Sequence, residues 1–96
     1  MKAIPLTPEI EAIAKRVVWF EPPKQAIADP VRFLAYAMTY GEHADMEAIR
    51  HYVPDEDLLE AITHAPPGIY DPRSWAFWNL KLGRFPTPPI PERLLS

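Results

Sequence analysis

The sequence predicts an all-α fold: a compact bundle of five or six short helices with proline-rich connections and an extended proline-rich C-terminal tail. Three observations lead there. Apolar residues recur at three- and four-residue spacing, and no β-branched alternating run is long enough for a strand. Thr-Pro and Asp-Pro pairs stand before the apolar runs, and glycine stands where runs end. Proline makes up 13 of the 96 residues, yet 48% of the chain is hydrophobic and 11% aromatic. Disordered chains lack that apolar content, so the prolines punctuate a folded chain.

The first helix opens at Thr7-Pro8-Glu9, with Thr as N-cap, Pro in the first turn and Glu near the positive end of the helix dipole. Ile10, Ile13, Ala14, Val17 and Val18 form its apolar stripe, and the helix should end near Trp19 or Phe20, since Glu21-Pro22-Pro23 cannot continue it. Residues 22–28 read as one or two short turns. Asp29-Pro30 starts the next helix, and Gly41 is expected to close it as a left-handed cap. Its residues, Val31 to Tyr40, are apolar nearly all round, which predicts burial on most sides.

A more polar helix follows over about residues 44–52, with Met46, Ile49 and Val53 facing inward. Pro54-Asp55-Glu56-Asp57 opens another, with Leu58, Leu59, Ala61 and Ile62 inward, stopped by Ala65-Pro66-Pro67-Gly68. The last helix begins at Asp71-Pro72 and ends at Gly83. Asp and Gly have the same separation here as in Asp29 to Gly41, which we read as repeated cap chemistry rather than duplication. The tail, about residues 84–96, should be extended or polyproline-like. No linker interrupts the chain, so residues 1–96 are expected to form one domain.

Composition excludes several function classes. Cysteine is absent, which removes disulfides, thiolate zinc sites and a Cys nucleophile. Net charge is −3 and the pI about 5.5, so nucleic-acid binding is not expected. Residues 1–7 lack the apolar region of a signal peptide, and no run approaches the length of a membrane span. A cytoplasmic location and no membrane partner are therefore expected.

No catalytic constellation stands out. His43 and His51 are too far apart for a tight zinc pair, and with His64 they read as solvent-facing. The acidic cluster Asp55, Glu56, Asp57 and Glu60 lacks the alternation and central Gly of a calcium loop and reads as a stabilised helix start. The three glycines, Gly41, Gly68 and Gly83, form no phosphate loop, and Ser74 has no nucleophile elbow around it. We therefore expect no enzyme, no cofactor and no metal. A helix-turn-helix reading places residues 73–82 in a major groove, but Trp75, Phe77, Trp78, Leu80 and Leu82 are too apolar for that.

The remaining candidates concern protein binding. Tyr70, Trp75, Phe77, Trp78 and Phe85 crowd into residues 65–85. Trp75 and Trp78 share a helix face and Phe77 points elsewhere. Either helix 72–82 is central, or one ring lies on a binding surface, where Trp and Tyr dominate the energetics. Pro88-Pro89-Ile90-Pro91-Glu92-Arg93 fits the Pro-x-x-Pro-x-Arg pattern read by aromatic grooves, although packing on the domain's own rings is the preferred reading. The expected contact residues are Trp19, Tyr70, Arg73 and Trp78, with Pro88, Pro89 and Pro91 of the tail; Arg73 is included because Arg offers bidentate pairing.

The segments Trp19-Phe20-Glu21-Pro22-Pro23, residues 29–41 and Asp71-Pro72-Arg73-Ser74-Trp75-Ala76-Phe77-Trp78-Asn79-Leu80 resemble a group of small helical bacterial proteins. These are encoded beside nucleotidyltransferase toxins of the abortive-infection type. The resemblance spans roughly residues 17–93, and Asp71-Pro72-Arg73-Ser74-Trp75 is its most specific part. It implies a toxin–antitoxin or phage-defence module in which this chain is the small companion, and it carries no catalytic residue across. The rival expectations are a self-associating homodimer, a DNA-binding autoregulator and, last, a metal-dependent hydrolase.

Overall fold

A computed structural model of the chain describes residues 1–92, and these hold six helices and no strand. They are α1 (Pro8–Val17), α2 (Pro23–Ile27), α3 (Pro30–Tyr40), α4 (His43–Arg50), α5 (Asp55–Thr63) and α6 (Pro72–Lys81). Residues 93–96, which include Arg93 of the Pro-x-x-Pro-x-Arg pattern and the end of the expected tail, lie outside the described residues.

The helix starts follow the local chemistry. Thr7 Oγ1 accepts from the Ile10 N–H at 3.1 Å, Asp29 Oδ1 from Arg32 at 3.2 Å, and Asp71 Oδ1 from Ser74 at 2.7 Å. Each satisfies an amide that the first helical turn leaves without a partner, and proline follows each cap. Helix α4 starts differently. Glu42 and Asp45 form a reciprocal capping box in which the Glu42 N–H donates to Asp45 Oδ2 at 2.9 Å.

The helix ends hold one correction. Gly83 has φ +84° and turns the chain in the left-handed region, as the sequence indicates. Gly41 does not. Its φ is −73° and ψ 152°, because the chain runs extended from α3 directly into the α4 cap. Glycine is needed there for another reason: a Cβ at Gly41 would lie 2.5 Å from the Ala37 carbonyl oxygen. The end of α1 also shifts. Val18, not Trp19 or Phe20, closes it, with φ −126° and its N–H bonded to the Ala14 carbonyl. Trp19 and Phe20 consequently sit in the turn before α2.

Helix α3 is the hub and packs against each of the other five helices. Phe33, Leu34, Ala35, Ala37 and Met38 are all buried, as an all-round apolar helix requires. Around them gather Ile10, Ile13 and Val17 of α1, Ile49 of α4, Leu58 and Ile62 of α5, and Trp75 and Trp78 of α6. Helix α6 packs chiefly on α3 alone. Helix α3, not α6, is central; Trp75 and Trp78 face it, and Phe77 is 56% exposed. No helix among the described residues is long and apolar enough to cross a membrane.

One ion pair ties the bundle's polar side to its core. Asp45 is buried, and the half-exposed Arg16 of α1 reaches it with both terminal guanidinium nitrogens, Nη1 donating to Oδ2 at 2.7 Å and Nη2 to Oδ1. The Arg16 hydrogen bonds, with the Glu42 N–H adding to them against the cost of burial, hold the Asp45 carboxyl below its usual range. The pair fixes α4 against α1 and so sets the position of one wall of the cleft described next.

Candidate functional site

Two surface features stand out, and the expected contact residues divide between them and the core. The first is an aromatic ladder. Trp19 meets Phe20 edge-on with ring centroids 5.5 Å apart, Phe20 meets Tyr36 at 5.6 Å, and Tyr36 stacks on Tyr40 at 6.2 Å. Trp19 is 78% exposed and Tyr40 64%. The Arg32 guanidinium sits 5.6 Å from the Phe20 ring centre and 5.4 Å from that of Tyr36. Its Nη1 donates to Glu21 Oε1, and this bond is the leading reason its pKa is raised. Arg32 is thus locked in place by a carboxylate and two rings, a pre-organised element in a surface rich in the side chains that dominate interfaces.

The ladder has a simple origin. Arg32, Tyr36 and Tyr40 are each four residues apart, so α3 places them in one row. The turn after α1 delivers Trp19 and Phe20 to its end. The four-residue Arg-Tyr-Tyr spacing was the available sequence signal for Arg32, Tyr36 and Tyr40, which sequence reasoning did not select.

The second feature is a cleft of about 350 Å³ between α4 and α6, at the end of α3. Met38, Met46 and Trp78 form its apolar floor, and Phe77, Arg73 and Lys81 of α6 stand along one rim. Glu42, His43, Glu47 and Arg50 line the α4 side. Those groups have partners of their own: His43 Nε2 lies 2.8 Å from Glu47 Oε1, and Arg50 pairs with Asp55 through two contacts of 2.9 Å. Arg73 and Lys81 make no ion pair among the described residues. The Thr39 hydroxyl, another lining residue, is buried with no hydrogen-bond partner among them.

The expected contact residues therefore separate. Trp19 lies in the ladder. Arg73 is exposed at the cleft rim, and Trp78 lines the cleft from below. Trp78 and Tyr70 are each only 6% exposed and pack in the core, where Trp78 also forms part of the cleft floor. The Trp78 indole donates to the Met38 carbonyl at 3.2 Å, and the Tyr70 hydroxyl lies 3.3 Å from the Met38 sulfur. Both rings are held where their polar ends find partners on α3. In the tail Pro88 and Pro91 are half-buried and Pro89 exposed; Trp75 donates its indole N–H to the Pro88 carbonyl at 2.8 Å.

Among the described residues no three His, Asp or Glu side chains gather as a metal-binding group. No family model matches this chain, and neither a curated protein nor a solved structure is significantly similar to it.

Proposed function

We propose that this chain is a non-enzymatic, protein-binding companion of a bacterial nucleotidyltransferase, acting in the cytoplasm as antitoxin or accessory subunit of a defence module. The observation that carries the protein-binding half is the exposed ladder Trp19–Phe20–Tyr36–Tyr40 with Arg32 clamped inside it. Large rings left on the surface while a complete core exists beneath them mark an interaction site. Rings and a pre-oriented Arg lose little conformational entropy on binding, which favours affinity. The partner class rests on the resemblance carried by residues 19–23, 29–41 and 71–80.

The test is co-purification. A tagged copy is co-expressed with the nucleotidyltransferase encoded beside it, and the complex is measured by light scattering. A stoichiometric complex is expected, with Trp19→Ala weakening it by about 2 kcal/mol or more, roughly 30-fold, at an unchanged melting temperature. Absence of a complex, with the chain alone sedimenting as a concentration-dependent dimer that Trp19→Ala dissociates, would refute this reading in favour of self-association.

A further inference from the structure

Charge is distributed unevenly along this chain. Before Pro72 stand twelve acidic and six basic side chains; from Pro72 to Pro91 the only ionisable ones are Arg73, Lys81 and Arg84. Helix α6 sets Arg73 and Lys81 one turn to either side of Phe77, beside Leu80, which is 62% exposed. A basic, apolar helix face thus borders a cleft whose floor is two methionines and an indole. Methionine adapts its shape to whatever apolar group enters.

We propose that this cleft, with the α6 rim, binds an acidic amphipathic segment of a protein partner. An apolar side chain of that segment enters between Met38, Met46 and Trp78, and its carboxylates pair with Arg73 and Lys81. The charge pattern selects this occupant. The cations on the α6 rim are unpaired among the described residues, whereas Glu47 and Arg50 across the cleft are engaged by His43 and Asp55. A nucleic acid would leave the apolar floor unused, whereas an amphipathic segment fills it. The proposal rests on the reading of the chain as a protein-binding companion, but it concerns a surface that shares no residue with the ladder.

The probe is a labelled peptide of about 18 residues, long enough to hold a helix, with Leu on one face and Glu on the other. Its binding to the full chain is followed by fluorescence anisotropy. The control peptide has Lys in place of every Glu. The acidic peptide is expected to bind at least about tenfold more tightly than the basic one, and to weaken as salt rises from about 50 to 200 mM. Arg73→Glu with Lys81→Glu should reverse the preference, and Phe77→Asp should weaken the acidic peptide roughly tenfold. All three positions are exposed, so the variants should melt like the parent. Equal affinity for the two peptides, or indifference to the double charge reversal, would overturn the proposal. So would self-association of the free chain that Arg73→Glu abolishes, since a second copy would then fill the cleft. The titration reads the cleft alone, and the co-purification with Trp19→Ala reads the ladder, so either can fail without the other.

Discussion

Replacing Asp45 by Asn tests how the bundle positions its cleft wall. The carboxylate accepts from Nη1 and Nη2 of Arg16 and also from the Glu42 N–H that opens α4. A hydrogen bond to a charged group contributes about 1.5–3 kcal/mol when buried. Arg16 is 54% exposed, so solvent screening lowers its share. Loss of the capping contact adds about 0.5–1 kcal/mol. Asp45→Asn should therefore cost about 2–3 kcal/mol in urea unfolding at pH 7, or roughly 10–20 °C in Tm for a domain of this size. The pH dependence is a second readout. The folded carboxyl titrates below its ordinary value of 3.8, so its stabilisation is present above that value and is lost as pH falls through the folded value. The difference between parent and Asp45→Asn should shrink accordingly in acid. Arg16→Met should cost as much as Asp45→Asn, and the double variant little more. A loss below about 0.5 kcal/mol, or a gap equally large well below pH 3, would refute the argument.

Three further outcomes follow from single positions. Gly41→Ala should cost about 1–3 kcal/mol in urea unfolding, because its Cβ would collide with the Ala37 carbonyl, and Gly41→Asn should be no better. Gly83 has open space around it but φ +84°, so Gly83→Ala should cost about 1–2 kcal/mol and Gly83→Asn clearly less, since Asn visits the left-handed region. Burial pushes the Tyr70 phenol above its ordinary value of 10, so the folded chain keeps a proton that the unfolded chain releases. Stability should fall as pH rises past 10, and Tyr70→Phe should flatten that alkaline limb in a pH series of thermal melts.

The local features were legible because their causes are local. Thr7, Asp29 and Asp71 cap within three residues of themselves, and the all-round apolar α3 has only one reasonable place, the centre. What escaped the sequence depends on distant partners. Asp45 has no local signal in the sequence, because the partner that buries it, Arg16, lies 29 positions away. Gly41 reads as a left-handed cap because helix–Gly usually means that, and only the immediate start of α4 removes the need to reverse the chain. Tyr70 and Trp78 read as contact residues because Trp and Tyr dominate interfaces, and their burial is invisible to local spacing. Of the rings in that segment, Phe77 and Phe85 are the ones left outside. Both Tyr70 and Trp78 have polar ends that bond to Met38, a partner that no local spacing reveals.

Helix α6 carries the consequence furthest. Its inner side, Trp75, Trp78 and Asn79, closes the core against α3, and its outer side keeps Phe77 and Leu80 in solvent beside Arg73 and Lys81. Among the described residues no other helix packs extensively on it, and Phe77 and Leu80 stay exposed. Under the proposal above a partner covers these two side chains, and the flanking cations favour an acidic one. The two sides therefore answer to different demands. Changes at Trp78 disturb folding and the cleft floor together and cannot separate them. Changes at Phe77, Leu80, Arg73 and Lys81 leave the core intact, so a loss of binding there reports on recognition alone.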